Sequence, residues 1–277
     1  MRLFDSHTHV YAAEFAADRD AMIARARDAG LAGMLVLGED VRSSERAIEL
    51  AEEHDGVYAA AGCHPHNAAS LDGAALARLD ELAQHRNVVA VGEVGLDFYR
   101  DLSPREEQLR VLRHQLETAA EIGKPVAIHC RDAHEAFLPT AEEWSRKLGG
   151  RLAGGRPLGV MHYFAGDAEL ARRYVELGFF ISIHTSVTYP KGERLQDVAR
   201  TLPLDCLVVE TDSPYGAPQS KRGRRNEPAY VIEAIAKIAE LRGEPIERIA
   251  EATTANACRL LGLTALVTAG KAAAGRA

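Results

Sequence analysis

Histidines and carboxylates recur in this chain at the ends of short apolar runs, where folds built of βα units place their functional groups. His7 and His9 stand two residues apart at the end of the first run. Residues at that spacing on a strand point to the same face, so both imidazoles can approach one cation. Four more residues of ligand type end or follow other runs, namely Glu93, His129, His162 and Asp212.

Together these six residues predict a metal site. A single histidine at a strand end is more often structural, but six ligand-type residues at converging strand ends are hard to explain in that way. Imidazole and carboxylate without thiolate suit Zn²⁺, Mn²⁺, Co²⁺, Ni²⁺ or hydrated Mg²⁺ and do not choose among them. Six ligands suffice for two divalent ions, and Glu93 is the natural bridge because a carboxylate offers one oxygen to each ion.

Eight runs rich in Val, Ile and Leu alternate with segments of helical period, which is the pattern of repeated βα units. We therefore predict an α/β fold, a single-domain (β/α)8 TIM barrel over residues 1–263, since that fold typically takes roughly 250 residues. The predicted strands are Leu3–His7, Gly33–Gly38, Val57–Gly62, Val88–Glu93, Val126–His129, Gly159–His162, Phe179–Ile183 and Leu207–Glu210.

Local signals place the ends of two helices. Ser103, followed by Pro104 and Glu106, predicts a capping box at the start of the helix after the fourth strand. Gly123 predicts the end of that helix, and Asp167 and Gly178 bracket the helix after the sixth strand in the same way. The last residues, 264–277, are mostly Ala, Gly, Thr and Lys and predict a disordered tail.

Composition limits the classes of protein to which the chain can belong. With 47% hydrophobic and 26% charged residues it is typical of a soluble globular protein. The net charge of −7 disfavours wholesale attraction to polyanions, so a nucleic-acid contact should be local. No apolar run of membrane-spanning length opens the chain, and its four cysteines form no CxxC pair. We expect a cytoplasmic protein with reduced thiols, no membrane contact and no obligate protein partner.

Several motifs in register resemble the TatD family of metal-dependent hydrolases, the TatD-type DNases, over essentially residues 1–263. They are DSHTH at 5–9, GCHPH at 62–66, GEVGLDFYRD at 92–101, HCRDA at 129–133, HYFAGD at 162–167, ETDSPY at 210–215 and RNEP at 225–228. The resemblance implies a (β/α)8 barrel that hydrolyses phosphodiester bonds in DNA or RNA and needs a divalent cation such as Mg²⁺.

The same resemblance implies a role for each ligand. His7 and His9 are similar to ligands of the first metal, together with Asp212. Glu93 is similar to the bridge, and His129 and His162 are similar to ligands of the second metal. Asp212 is then also the expected base toward the attacking water, which makes Asp212 and Glu93 the expected catalytic residues.

Three residues near these motifs are candidates for substrate binding. Arg131 lies two residues beyond His129, so it faces the same mouth and suits a bidentate grip on an anion. His66 is similar to the family's substrate-side histidine, although a loop histidine without that role is the alternative. His64 is either a substrate contact or a residue that Pro65 fixes in the turn.

Two further candidates are less typical. The run from Lys221 to Arg225 is the densest positive segment and follows Asp212. We predict a phosphate contact for Arg225 and solvent exposure for Lys221 and Arg222. His184 stands where the family commonly has small glycine residues, so it should contact substrate or narrow the pocket.

The leading hypothesis is a deoxyribonuclease that cleaves phosphodiester bonds with water activated by two metal ions. We expect it to work as an exonuclease, because an acidic protein should hold only the end of a nucleic-acid strand. A metal-dependent esterase or amidase, such as a D-aminoacyl-tRNA deacylase, would use the same site, and the sequence does not separate the two. A non-catalytic interaction protein is a third hypothesis. It predicts a broken ligand set, whereas all six ligand positions are filled.

Overall fold

The computed structural model describes residues 1–263, in which eight β-strands alternate with α-helices. The strands are β1 Leu3–Thr8, β2 Leu31–Leu37, β3 Val57–Ala61, β4 Val88–Asp97, β5 Val126–Arg131, β6 Gly159–Met161, β7 Phe179–His184 and β8 Leu207–Glu210. The helices are α1 Arg19–Asp28, α2 Val41–Glu53, α3 Gly73–Ala83, α4 Arg105–Ile122, α5 His134–Leu148, α6 Ala168–Glu176, α7 Glu193–Thr201, α8 Val231–Arg242 and α9 Ile246–Leu261.

The strands form one parallel sheet in chain order from β1 to β8. Two backbone hydrogen bonds join its last strand to its first just beyond the strand ends. The amide of His9 donates to the carbonyl of Ser213 at 2.8 Å, and the amide of Asp212 donates to the carbonyl of His7 at 2.9 Å. The sheet therefore closes into the predicted (β/α)8 barrel, and predicted metal ligands form part of the seam.

The strands are buried on both faces, which explains their nearly continuous apolar sequences. Every residue of β1, β7 and β8 is buried. Phe179 of β7 shows how the helical layer covers the barrel, since its ring packs against Phe137 and Trp144 of α5, with centroid separations of 6.2 and 6.0 Å. The barrel thus supplies a rigid frame for groups at its open end.

The predicted strand ends agree with the structure to within two residues except at β4. That strand was predicted to end at Glu93 and instead continues to Asp97. Gly95 permits the extension because its φ is +152° and it pairs with His129 at close range. A Cβ at Gly95 would lie 1.8 Å from the carbonyl oxygen of His129. Glu93 is therefore inside β4, and Asp97 is at its end.

The predicted helix ends at Gly123 and Asp167 are confirmed. Gly123 follows α4 in the left-handed conformation with φ +67°. The Asp167 carboxylate accepts a hydrogen bond from the amide of Leu170 and so caps α6, and Gly178 follows that helix with φ +96°.

The capping box predicted at Ser103 is wrong. Pro104 occupies the cap position of α4, and no side chain caps the helix there. The Ser103 hydroxyl instead donates to the carbonyl of His66 at 2.8 Å and accepts from the amide of Ala69 at 3.1 Å. Ser103 therefore fixes the loop after β3, which carries His66.

The remaining expectations concern the thiols, the membrane and the tail. All four cysteines are buried and none forms a disulfide. Within residues 1–263, no helix combines the length and the apolar character that crossing a membrane requires. The tail predicted for residues 264–277 lies outside the described residues.

Gly95→Ala should lower the free energy of unfolding by about 3 kcal/mol or more. The new Cβ would collide with the His129 backbone, and the φ of Gly95 is unfavourable for an L-residue. Gly123→Ala is the control, because its Cβ would meet nothing within 4 Å and only the backbone cost of about 1–2 kcal/mol applies. Denaturant unfolding of both variants measures the difference. Equal losses would show that the close approach at Gly95 has no special cost.

Candidate metal centre

The carboxylate of Glu93 is the centre of a buried cluster of imidazoles at the open end of the barrel. Its Oε1 lies 2.8 Å from Nδ1 of His129 and 3.5 Å from Nε2 of His162. Its Oε2 lies 3.2 Å from Nε2 of His7 and 3.5 Å from Nε2 of His9. Each carboxylate oxygen of Glu93 therefore faces its own set of imidazoles, and His64 also approaches Oε1, at 3.6 Å.

Asp212 completes the set of six residues that the sequence predicted as ligands. Its Oδ1 lies 3.4 Å from Nε2 of His9, 3.9 Å from Nε2 of His7 and 4.0 Å from Nε2 of His162. The side chain is 13% exposed, whereas that of Glu93 is 3% exposed. Asp212 has φ +58°, a strained conformation for this residue type of the kind that clusters at functional sites.

Two carboxylates that the sequence analysis did not single out hold imidazoles of the cluster from outside. Oδ2 of Asp97 lies 3.1 Å from Nε2 of His129, and Oε1 of Glu210 lies 3.0 Å from Nδ1 of His162. The hydrogen bond between Asp97 and the outer nitrogen of His129 fixes the orientation of that ring and leaves its inner nitrogen available to a metal. The contact of Glu210 with His162 is an ion pair without hydrogen-bond geometry. Asp97 would have been found had β4 been extended, because residues 93 and 97 share one face of a strand.

His9 is held in the same manner by uncharged oxygens. Its Nδ1 lies 3.1 Å from the Tyr11 hydroxyl and 3.3 Å from the carbonyl of Leu37. The Tyr11 hydroxyl in turn donates to Glu39 at 2.6 Å. The Nδ1 of His7 is buried and has no hydrogen-bond partner within residues 1–263.

The carboxylates make the cluster favourable for positive charge. Burial opposes protonation of His9, but Asp212, Glu39 and Glu93 outweigh it and raise its pKa to about 9. Burial likewise opposes protonation of His162, yet Glu210 and Glu93 raise its pKa to about 10.

The pKa values of the acidic partners Glu93 and Glu210 are lowered. Burial would raise the pKa of Glu93, but the surrounding imidazoles hold it well below its ordinary value. Burial also opposes ionisation of Glu210, and His162 still lowers its pKa to about 2. The donor set therefore fits divalent cations, which would compete with protons for the same imidazole nitrogens.

His64 faces this cluster as a hydrogen-bond donor. Its Nδ1 accepts the amide of His66 at 3.1 Å, so the neutral ring carries its proton on Nε2. That Nε2 lies 3.3 Å from Nδ1 of His129 and 3.6 Å from Oε1 of Glu93. Burial lowers the pKa of His64 well below its ordinary value. The residue thus caps the turn and also points an N–H toward the metal ligands.

His66 and Arg131 lie at the rim beside His129. Nε2 of His66 is 2.8 Å from Oδ2 of Asp97, and its side chain is 26% exposed. Arg131 is exposed at the end of β5, and its guanidinium lies 3.9 Å above the centre of the Tyr99 ring. Their contacts with substrate stay predictions.

Arg225 has other partners than the predicted phosphate. Its Nη1 donates to Oδ1 of Asp18 at 2.6 Å, and its Nη2 donates to Oε1 of Glu227 at 2.7 Å. The guanidinium also lies 4.5 Å above the ring of Phe15. These ion pairs hold the guanidinium of Arg225 beside Asp18 and Glu227, and its contact with a phosphate stays a prediction.

His184 is likewise engaged within the fold. It is buried, its ring stacks on Tyr163 at 3.7 Å, and its Nδ1 lies 2.6 Å from the Ser186 hydroxyl. Burial lowers the pKa of His184 to about 4. The role of His184, whether it contacts substrate or narrows the pocket, stays a prediction.

Asp97→Asn should weaken divalent-cation binding about 10- to 100-fold, because the amide cannot accept from two imidazoles and two backbone amides as the carboxylate does. Asp101→Asn is a matched control in the same loop, since that side chain is exposed and meets only Arg105 among the ion pairs described. Titration with Mn²⁺ by calorimetry measures both. Unchanged affinity in Asp97→Asn would contradict the orienting role of this carboxylate.

Known proteins are similar to this chain in sequence. The family model described as "TatD related DNase" matches residues 4–262. The metal-dependent hydrolase YabD of Bacillus subtilis (strain 168) is 39% identical over 258 residues, covering 93% of this chain and 98% of the relative. The 3'-5' ssDNA/RNA exonuclease TatD of Escherichia coli (strain K12) is 38% identical over 266 residues, covering 94% of this chain and 99% of the relative.

A solved structure of a TatD homolog also resembles the structure of this chain. YJJV, a TatD homolog from Escherichia coli K12, superposes with a TM-score of 0.87 at 32% identity, covering 95% of this chain and 98% of YJJV. The family model spans nearly all of the residues that form the barrel. The chain therefore belongs to the TatD family of metal-dependent hydrolases.

Proposed function

We propose that this protein is a two-metal exonuclease that removes nucleotides from an end of single-stranded DNA or RNA. The observation that carries the proposal is the position of Glu93, whose two oxygens face separate sets of imidazoles. The E. coli relative described as a 3'-5' ssDNA/RNA exonuclease supports the substrate class. The four unpaired thiols fit a reducing compartment such as the cytoplasm.

The ligand sets divide about the Glu93 carboxylate. His7, His9 and Asp212 with Oε2 of Glu93 would hold one ion, and His129 and His162 with Oε1 would hold the other. Imidazole and carboxylate donors suit Mg²⁺, Mn²⁺ or Zn²⁺. When bound, such ions polarise the phosphate and acidify water.

The protein's own groups then move the proton and orient the phosphate. Asp212 is more open to solvent than Glu93, so we assign to it the removal of a proton from the attacking water. As the new P–O bond forms, the bond to the leaving oxygen breaks. We assign to His66, which is part-exposed beside Asp97, a contact with a phosphate oxygen, whereas the N–H of His64 on Nε2 is directed at His129 and Glu93.

The net charge of the protein favours binding to the end of a nucleic-acid strand over binding to its interior. The protein carries a net charge of −7, and the cationic side chain beside His129 is Arg131. A small positive patch on an acidic protein neutralises roughly one to three phosphates, so binding to a single strand should weaken with salt at a slope of about −0.7 per phosphate.

The same ligands would also serve hydrolysis at a carbonyl carbon, as in a D-aminoacyl-tRNA deacylase, but no contact described above favours that substrate. The third alternative, a non-catalytic binding protein, conflicts with the convergence of all six predicted ligands on one buried cluster.

Glu93→Gln should lower the occupancy of both metal positions, because a shared ligand couples them and the amide offers only one oxygen. Glu107→Gln is the control, since that carboxylate is on the surface of α4 and pairs with Arg110. Elemental analysis after dialysis against Mn²⁺ gives the stoichiometry, expected near two for the control. Full occupancy in Glu93→Gln would refute the bridge.

Asp212→Asn should reduce kcat on a single-stranded DNA oligonucleotide about 10²- to 10⁴-fold while the protein stays folded, because the amide does not accept the proton from water. The wild type is assayed in parallel with a neutral ester and an aminoacyl-tRNA, under Mg²⁺, Mn²⁺ and Zn²⁺ in turn. Cleavage of the carbonyl substrates alone would refute the nuclease function.

A further inference from the structure

Exposed large hydrophobic side chains concentrate at the open end of the barrel. Among residues 1–263 they are Met1, Tyr99, Leu102 and Tyr215, and the last three are in the loops that follow β4 and β8. Tyr99 is 61% exposed and Tyr215 is 52% exposed. Exposed apolar groups gathered around a polar site commonly mark a surface that a ligand covers.

Tyr99 borders the half of the cluster that contains His129. Its amide donates to Oδ1 of Asp97 at 3.0 Å, and the other oxygen of that carboxylate contacts both His129 and His66. The guanidinium of Arg131, 3.9 Å from the ring centre, covers one side of the Tyr99 ring. This contact braces the ring and adds a positive charge beside it.

Tyr215 borders the opposite half. Its amide donates to the carbonyl of Asp212 at 2.9 Å, and its ring centre lies 6.1 Å from that of His9. His9 faces Oε2 of Glu93, whereas His129 faces Oε1. The two exposed rings are thus attached to the two halves of the metal centre, one beside each.

We infer that Tyr99, braced by Arg131, and Tyr215 are stacking platforms that bind the nucleobases on either side of the cleaved phosphate. The inference rests on the proposed function, because it takes a nucleic-acid strand as the substrate of this site. An unpaired base offers a flat face to an aromatic ring, and each such stack contributes roughly 5- to 150-fold in binding. Paired bases in a duplex do not offer that face, so the platforms would select single strands.

The test compares two oligonucleotides that differ only in their bases. One is single-stranded oligothymidylate, and the other carries abasic tetrahydrofuran residues at both positions flanking each terminal phosphodiester. Tyr99→Ala and Tyr215→Ala should each raise KM for the first about tenfold with kcat little changed. Neither should alter KM for the abasic strand, which the wild type already binds weakly. Tyr99→Phe should retain the wild-type KM because the ring face is kept.

Leu102→Ala is the matched control, since this side chain is equally exposed in the loop of Tyr99 but has no ring. It should leave both substrates unaffected. Three results would overturn the inference. KM could rise equally on both oligonucleotides, it could rise on neither, or it could rise on the oligothymidylate in only one of the two alanine variants. Failure of the proposed function is a separate result, in which the wild type cleaves neither oligonucleotide.

Discussion

The structure of the site depends on one buried carboxylate, that of Glu93. A buried anion is costly unless positive charge and hydrogen bonds compensate it. Here the compensating groups are imidazoles brought by three other strands, so the barrel must place His7, His129 and His162 within 3.5 Å of one residue. The close approach of Gly95 to the His129 backbone serves the same end, since it holds β4 against β5 beside the carboxylate.

Charge alternates outward from that centre. Negative Glu93 is surrounded by imidazoles, and these are bounded in turn by carboxylates such as Asp97 and Glu210. Each layer stabilises the charge of the next, which explains why the pKa values of His9 and His162 rise although their rings are buried. A cation that replaces protons in the middle layer would keep this alternation intact.

The fold and the convergence of the six candidate ligands were predictable because their signals are local. Apolar runs define strands, and a polar residue near the C-terminal end of such a run lies near the barrel mouth. Asp97 was not predicted, because the extension of β4 depends on the close approach of Gly95 to His129 of β5. The partners of Arg225 could not be read locally either, since Asp18 is 207 residues away in the chain. Ser103 carried a genuine capping signal, but its hydroxyl found better partners in a neighbouring loop.

The seam between β1 and β8 has a consequence for how the molecule comes into being. His7 and His9 are synthesised well before Asp212 and Ser213, whose backbone groups they bond across the seam. A growing chain or an N-terminal proteolytic fragment therefore lacks both the closed ring and the complete ligand set. Closure of the barrel and assembly of the candidate metal centre therefore depend on the same contacts between the two ends of the sheet.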